Sequence, residues 1–239
     1  MRRPTLLFAL AAVLIGAVCV SLEARSQRIA FRSADGVTLA AAWFEPSVRP
    51  APAVILVHML GRSHRDWEGV ASRLASSGIG ALALDLRGHG DSAAPGADGG
   101  GDHSVLVRDL EAARRHLATR SDVQHSRIGL AGASMGANLV ALQAAADAGV
   151  TSVALLSPSL DYRGLRIEAA VRKYGSRPML LVVSDEDAYA RRSADDLRKA
   201  GGGIRELLTL SGAGHGTNML AHSPDLGNAL VAWFQRTLQ

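Results

Sequence analysis

The feature that most constrains the fold of this 239-residue chain is a regular alternation of short apolar runs with longer amphipathic stretches. Each run spans four to seven residues and is bounded by Gly, Pro or Asp. Continuous apolar runs of this length are typical of parallel strands that are covered on both faces. We therefore predict six such strands: Ala53–Val57, Gly80–Leu84, Arg127–Leu130, Ser152–Leu156, Met179–Val183 and Ile204–Leu210.

Stretches with a helical spacing of apolar residues lie between and after these runs. In Ser104–Ala118, for example, Leu106, Leu110, Ala113 and Leu117 recur at that spacing, with charged residues between them. Six strand-then-helix units predict an α/β fold with a doubly wound, mostly parallel sheet and helices on both faces. The predicted helices are Trp67–Ser76, Ser104–Ala118, Met135–Ala148, Ile167–Tyr174, Ala190–Ala200 and Pro224–Leu238.

Two alternating segments precede these units and predict an N-terminal antiparallel hairpin. They are Gln27–Phe31 and Val37–Phe44, separated by the turn Ala34-Asp35-Gly36. Neither an internal repeat nor a low-complexity linker divides residues 25–239, so we predict a single domain there. Ligands of doubly wound sheets bind at the carboxyl ends of the strands, and functional residues are therefore expected in the loops that follow the strands.

Residues 1–24 have the pattern of a targeting segment. Arg2 and Arg3 precede an apolar run of 15 residues, Leu6–Val20, whereas a helix needs roughly 20 apolar residues to cross a bilayer. This favours a secretory signal peptide, with an uncleaved N-terminal anchor as the alternative. We therefore expect an exported protein, periplasmic or extracellular, that contacts a membrane only through residues 1–24 if they are retained. The chain's only cysteine, Cys19, lies in this segment, and its removal would suit an oxidising compartment.

Charge and cysteine content exclude several classes of function. The 26 Lys and Arg residues exceed the 22 Asp and Glu residues, but only two of them are lysines and no run of five basic residues occurs. A nucleic-acid partner is therefore not expected. A single cysteine excludes a disulfide framework, a zinc ribbon and an iron–sulfur site. His58 and His64 lack a carboxylate signature that would complete a metal site, so no metal or cofactor is predicted.

The most specific motif is Gly132-Ala133-Ser134-Met135-Gly136, which follows a predicted strand and opens a predicted helix. A sharp turn in this context lifts the Ser134 hydroxyl toward solvent. Side chains at positions 132 and 136 would collide with neighbouring backbone, which explains the two glycines. The N–H of Met135, at a helix N-terminus, points toward the same space and can stabilise an oxyanion. Ser134 is therefore the candidate nucleophile.

A serine nucleophile needs an adjacent base, and histidine suits this role because its pKa lies near 6.5. Of eight histidines, His215 follows the last predicted strand and has small neighbours on both sides, in the stretch Gly212–Gly216. Small neighbours allow the loop to reach another strand end, so His215 is the candidate base. His103, His116 and His125 are expected to be solvated.

The base in turn needs a carboxylate that orients it. The loop after the predicted strand Met179–Val183 reads Ser184-Asp185-Glu186-Asp187 and offers three carboxylates in a row. The chain order of serine, acid and histidine is the one expected for this architecture. The spacing alone leaves the choice among the three carboxylates open.

Together these motifs resemble the α/β-hydrolase family over residues 27–239. The stretch Asp85–Ser92 is similar to the family's loop after the fourth strand. The resemblance implies that the acid is Asp187, with Asp185 as the alternative. A dienelactone-hydrolase-like member would use cysteine as its nucleophile, and serine at position 134 argues against that version.

The resemblance also implies that the loop after the third strand, His58-Met59-Leu60-Gly61, completes an oxyanion hole. The N–H of Leu60 would act there beside that of Met135. Met59 stands where the family usually has glycine. His58 is expected to hydrogen-bond its own loop and not to act as a base.

These parts imply an exported, carboxylesterase-like serine hydrolase that cleaves small, accessible esters through an acyl-enzyme on Ser134. The connection Ser157–Pro178 has only 22 residues, which predicts a small helical connector and an open, shallow site, with Pro158, Tyr162 and Leu165 at its mouth. A serine peptidase or a thioesterase of the same fold remains an alternative, as does a non-catalytic binding protein that kept the fold. The expected partner is a small-molecule ester.

Overall fold

The computed structural model describes residues 26–92 and 103–238. Within these ranges the chain forms ten strands and seven α-helices. The strands are β1 (Ser26–Arg32), β2 (Thr38–Phe44), β3 (Ala51–Val57), β4 (Gly80–Leu84), β5 (Val123–Ala133), β6 (Val150–Leu156), β7 (Asp161–Tyr162), β8 (Leu165–Arg166), β9 (Met179–Ser184) and β10 (Arg205–Leu210). The helices are α1 (Glu68–Ser76), α2 (Val107–Ala118), α3 (Met135–Ala146), α4 (Glu168–Tyr174), α5 (Ala188–Lys199), α6 (Asn218–His222) and α7 (Pro224–Thr237).

Eight of these strands form one sheet, in the order β1-β2-β4-β3-β5-β6-β9-β10. β2 pairs antiparallel with both β1 and β4, whereas all other neighbours are parallel. The predicted doubly wound, mostly parallel sheet with an antiparallel N-terminal hairpin is thereby confirmed. Because the strands from β3 onward in this sheet are parallel, their carboxyl ends lie at one edge. The loops that carry the candidate site residues leave the sheet at that edge.

Apolar side chains pack on both faces of the sheet. Along β3, Ile55 and Val57 face a core that includes residues of α2, α3, α4 and α5. Val54 and Leu56, the alternating neighbours, face a second core that includes residues of α1 and α7. All four side chains are fully buried. Side chains alternate across a strand, so a strand covered on both faces needs an uninterrupted apolar run.

An ion-pair network joins the β1–β2 turn to the loop after β4. The guanidinium of Arg87 donates to Asp109 of α2 over 2.6 and 2.8 Å and to Asp35 of the turn over 2.7 Å. Asp109 is fully buried, and burial raises the pKa of its carboxyl. The hydrogen bond from Arg87 instead lowers the pKa of the Asp35 carboxyl. One guanidinium therefore holds two elements against the loop after β4.

The predicted strand Arg127–Leu130 is too short. β5 begins at Val123, and its pairing with β3 shifts register after Ala51–Val123. The residues between that point and Ile128 are polar and mostly exposed, so an apolar run does not detect them. The two-residue strands β7 and β8 and the five-residue helix α6 were not predicted, because elements this short carry too few residues to show a periodicity.

None of the helices within 26–92 and 103–238 has the length and apolar character that a membrane crossing requires. The targeting segment predicted for residues 1–24 lies outside the described residues.

Candidate active site

Ser134 lies in the sharp turn between β5 and α3. Its backbone is strained, with φ of 52° and ψ of −117°, a region that non-glycine residues rarely adopt. A Cβ at Gly132 would stand 2.3 Å from the carbonyl oxygen of Gly136, and one at Gly136 would stand 2.5 Å from that of His58. The predicted steric need for both glycines is thus confirmed. Strain and close backbone contact together present the serine hydroxyl at the carboxyl edge of the sheet.

His215 lies in the loop after β10, residues 211–217, which we call the histidine loop. The hydroxyl of Ser134 lies 2.8 Å from Nε2 of His215. Gly212, Gly214 and Gly216 all have positive φ, a conformation that glycine adopts without strain. The small residues predicted around His215 therefore allow the loop to turn back across the sheet to the end of β5.

Asp187 completes a chain of hydrogen bonds. Its Oδ2 accepts from Nδ1 of His215 over 2.6 Å, and because a carboxylate only accepts, Nε2 of His215 is left to accept from Ser134. Its Oδ1 accepts from the backbone N–H of Ala190 over 3.1 Å and caps the N-terminus of α5. Both carboxylate oxygens are thus held, and their orientation toward the imidazole is fixed.

The other two carboxylates of the same loop bind other groups of the histidine loop and not the imidazole. Asp185 accepts from the hydroxyl of Ser211 and the N–H of Gly212, each over 2.9 Å, and these bonds lower the pKa of its carboxyl. Glu186 accepts from the N–H of Gly214 over 2.8 Å. The structure therefore brings Asp187, and not Asp185, to His215.

The loop after β3, residues 58–63, lies against the histidine loop; we call it the β3 loop. His58 is fully buried. Its Nδ1 donates to the carbonyl of Met59 over 2.7 Å, and its Nε2 accepts from the N–H of Leu86 over 3.1 Å. Burial lowers its pKa to about 4, so the ring is neutral at pH 7. His58 therefore hydrogen-bonds its own loop, as predicted. Leu60 lies two residues further on and is partly buried.

The loop after β4 is organised by Asp85, which is fully buried. Asp85 accepts from the N–H and Nδ1 of His64, over 2.6 and 2.8 Å, and from the N–H of Asp91 over 2.8 Å. The ligand atoms of these three residues lie within 4.8 Å of one another, a spacing that a metal ion could use. Arg28 and Arg65 lie 3.5 and 3.9 Å from the Asp91 carboxylate. Hydrogen bonds and these cations already account for the cluster.

Several sequence interpretations of individual residues were wrong. His103 is only 7% exposed and lies edge-on to Tyr162, and His116 stacks on Phe31 with 4.9 Å between ring centroids. A histidine between charged residues is predicted to be solvated, but its ring can pack against other side chains as readily as other aromatic rings do. Leu165 is buried in the core, so it does not line a mouth.

Sequence reasoning missed Ser157, which follows β6 and has a positive φ of 48°. Its hydroxyl accepts from the N–H of Gly216 over 3.0 Å, and it thereby holds the histidine loop beside Ser134. Its position directly after a predicted parallel strand is the sequence feature that could have indicated a role in the site.

Comparison with known proteins places the chain in a family. The family model described as serine aminopeptidase, S33 (Hydrolase_4) matches residues 48–195. This range is more than half of the chain; it includes Ser134 and Asp187 and ends before His215.

Solved structures share the fold at low sequence identity. A dienelactone hydrolase from Anabaena variabilis has a TM-score of 0.77 and 21% identity, with 91% of this chain and 100% of that chain covered. The esterase domain of a Rhodothermus marinus protein has a TM-score of 0.72 and 22% identity, with 90% and 100% covered. A Pyrococcus furiosus esterase has a TM-score of 0.70 and 17% identity, with 90% and 94% covered. Fold and family match agree, and the protein belongs to the Hydrolase_4 (serine aminopeptidase, S33) family of α/β-hydrolases.

Proposed function

We propose that the protein is a serine esterase in which Ser134 is the nucleophile, His215 the general base and Asp187 the acid that orients it. The observation that carries the proposal is the continuous chain of hydrogen bonds from Ser134 Oγ through the imidazole to Asp187. Each link joins residues far apart in sequence, and each lies at the carboxyl edge of the sheet. A serine, an imidazole and a carboxylate in this relation activate a hydroxyl for attack on a carbonyl carbon.

The reaction proceeds in two steps. In acylation, Ser134 Oγ bonds to the carbonyl carbon while its proton passes to Nε2 of His215, and the imidazolium then protonates the departing alcohol. In deacylation, His215 takes a proton from water, the hydroxide oxygen bonds to the acyl carbon, and Ser134 leaves with the proton returned. The backbone N–H groups of Leu60 and Met135 stabilise the oxyanion in both steps, and each such donor is typically worth about 3 kcal/mol.

A small, accessible ester is the substrate class that the surroundings of the site favour. The connection from Ser157 to Pro178 holds only the β7–β8 hairpin and the seven-residue helix α4. The side chain of His215 is 48% exposed, although it is bonded to both of its partners. An exposed general base suits a small substrate that approaches directly from solvent. A long acyl chain would need a lid to bind it, and this short connection does not form one.

Fluorophosphonate labelling together with p-nitrophenyl acetate hydrolysis tests the assignment. Ser134→Ala is expected to abolish labelling and to lower kcat by roughly 10⁴-fold or more. His215→Ala is expected to lose labelling as well. His125→Ala is the matched control, because His125 is exposed near the start of β5, far along the strand from Ser134, and its Nε2 lies 2.9 Å from the carbonyl of Arg120; it should retain most of the activity. A Ser134→Ala protein that keeps its turnover would refute the proposal.

A serine aminopeptidase is the second candidate, because the family description names that activity. Aminoacyl p-nitroanilides and p-nitrophenyl esters of matched acyl groups separate the two. Preferential hydrolysis of an anilide with a free α-amino group would replace the esterase proposal. Preference for simple acetyl and butyryl esters over long-chain esters would support the open site.

We further propose that the protein is exported through residues 1–24. The basic start and the short apolar run support this assignment. Cell fractionation and N-terminal sequencing of the exported form test it. A full-length protein confined to the cytoplasm would refute the proposal.

A further inference from the structure

Two loops must keep a fixed relation for the proposed reaction to proceed. The histidine loop carries the base, and the β3 loop carries Leu60, the proposed oxyanion donor. Neither loop is part of a helix or a strand at these positions. Side-chain contacts between them therefore help to fix their relative position.

One of these contacts is apolar. Gly216 follows the base directly, and a Cβ placed on it would stand 2.6 Å from Sδ of Met59 and 3.6 Å from Cβ of Ser134. The Met59 side chain therefore packs on the backbone of the histidine loop, close to the nucleophile. This contact brings the loops together but is not directional, because a thioether side chain is flexible.

The other contact is polar and passes through Asp66, in the 3₁₀ turn His64–Trp67 after the β3 loop. Asp66 accepts two hydrogen bonds from the guanidinium of Arg62, each over 2.8 Å. It also accepts a hydrogen bond from the hydroxyl of Thr217. The carboxylate thus binds the end of the β3 loop on one side and the end of the histidine loop on the other.

The two sides of this contact differ in exposure. The Arg62 side chain is 48% exposed and that of Asp66 is 12% exposed, whereas Thr217 is only 4% exposed. Burial opposes ionisation of Asp66, but the hydrogen bonds from Arg62 and Thr217 outweigh it and lower the pKa of the carboxyl. The Thr217–Asp66 hydrogen bond is therefore charge-assisted and shielded from water, the conditions under which such a bond is strongest.

We propose that Asp66 is a positioning residue, which fixes the histidine loop relative to the β3 loop through Thr217. The inference rests on the proposed function, since it assigns a role relative to the same base and oxyanion donors. Loss of the Thr217–Asp66 bond lets His215 and the N–H of Leu60 shift relative to each other. Such a shift weakens transition-state stabilisation more than substrate binding, because substrate binding does not require both groups to be aligned.

Thr217→Val and Thr217→Ser form a matched pair that tests this role. Valine keeps the shape of threonine and removes the hydroxyl, whereas serine keeps the hydroxyl. Kinetics on p-nitrophenyl acetate are normalised to the active sites titrated by a fluorophosphonate. We expect Thr217→Val to lower kcat per titrated site about tenfold with KM changed less than twofold, and Thr217→Ser to stay within twofold of the wild type.

A merely structural role would lower the titrated fraction or the melting temperature and leave kcat per site unchanged. Asp66→Ala provides a double-mutant cycle: in that background Thr217→Val should have no further effect, because its acceptor is already gone. The inference is overturned if Thr217→Val keeps the wild-type kcat per site, or if Thr217→Ser lowers kcat per site as much as Thr217→Val does. It is also overturned if Thr217→Val lowers kcat per site by the same factor in the Asp66→Ala background as in the wild type. Failure of the wild-type protein to react with the fluorophosphonate would instead refute the proposed function.

Discussion

Gly136→Ala tests the steric basis of the turn that carries Ser134. A Cβ at this position would stand 2.5 Å from the carbonyl oxygen of His58 and 2.6 Å from that of Val57. Real Cβ atoms almost never approach another heavy atom within 3.0 Å, so one backbone segment must move by at least half an ångström. Both oxygens belong to the main chain at the end of β3, and neither can rotate away as a side chain would.

The size of the effect follows from two opposing contributions. Overpacking of a tight site costs about 1–3 kcal/mol, and a clash with main chain lies at the upper end of that range. Alanine in place of glycine within a helix stabilises the folded state by up to about 1 kcal/mol. We therefore expect a net loss of about 2 kcal/mol in the free energy of unfolding. For a domain of this size that lowers the melting temperature by about 4–8 °C.

Thermal unfolding followed by circular dichroism measures the change, with Gly69→Ala as the matched control. Gly69 is exposed in α1, and a Cβ there would meet no atom within 4 Å. The same substitution should therefore stabilise the protein by about 0.5–1 kcal/mol. If Gly136→Ala proved as stable as Gly69→Ala, close backbone contact would not explain the glycine at the turn.

Three further predictions concern the acid, a buried histidine and the ion-pair network. Asp187→Asn should lower kcat about 10⁴-fold in steady-state ester hydrolysis, because the amide favours the wrong tautomer of the His215 imidazole. The melting temperature should change little. Retention of activity would contradict the proposed triad. The pKa of His58 is about 4 in the folded state and 6.5 in the unfolded state. Between these two pH values the unfolded state therefore binds more protons than the folded state. The free energy of unfolding should therefore fall by about 3 kcal/mol as the pH drops through that window. Urea titrations at several pH values should show a smaller fall for His58→Gln. Equal dependence of the unfolding free energy on pH in the two proteins would refute this role of His58. Arg87→Ala should cost about 3–5 kcal/mol in urea unfolding because it leaves the buried carboxylate of Asp109 without its cationic partner. Arg172→Ala, at an exposed ion pair, should cost less than about 1 kcal/mol; similar losses would contradict the importance of burial.

The parallel strands and the sharp turn at Ser134 were predictable because their signals are local. A strand covered on both faces, such as β3, requires a continuous apolar run, and a turn as tight as that at Ser134 requires glycine on both sides. Both requirements are met by adjacent residues. His215 was predictable for the same reason, since its small neighbours and its place after a strand can be recognised without knowledge of the fold.

Other features were not predictable because they depend on residues distant in sequence. Thr217 and Asp66 are 151 positions apart, and neither belongs to a recognisable motif. The residues alone left the choice between Asp187 and Asp185 open, and only the family resemblance favoured Asp187. This choice depends on where α5 begins, because the same carboxylate caps that helix. Three neighbouring carboxylates have the same chemistry, so only the geometry of the histidine loop distinguishes them.

The histidine loop shows why the polar residues around the proposed triad are as informative as the triad itself. Three glycines with positive φ give this loop its path, but glycine also leaves a loop with the greatest freedom to move. Four of its backbone N–H groups are instead bound by side chains at or just after the ends of β6 and β9: that of Gly212 by Asp185, that of Ala213 by Ser184, that of Gly214 by Glu186 and that of Gly216 by Ser157. Together these bonds connect the loop to two strand ends. The position of the imidazole is therefore determined by these acceptors together with Asp66, and none of them takes part in the proposed chemistry.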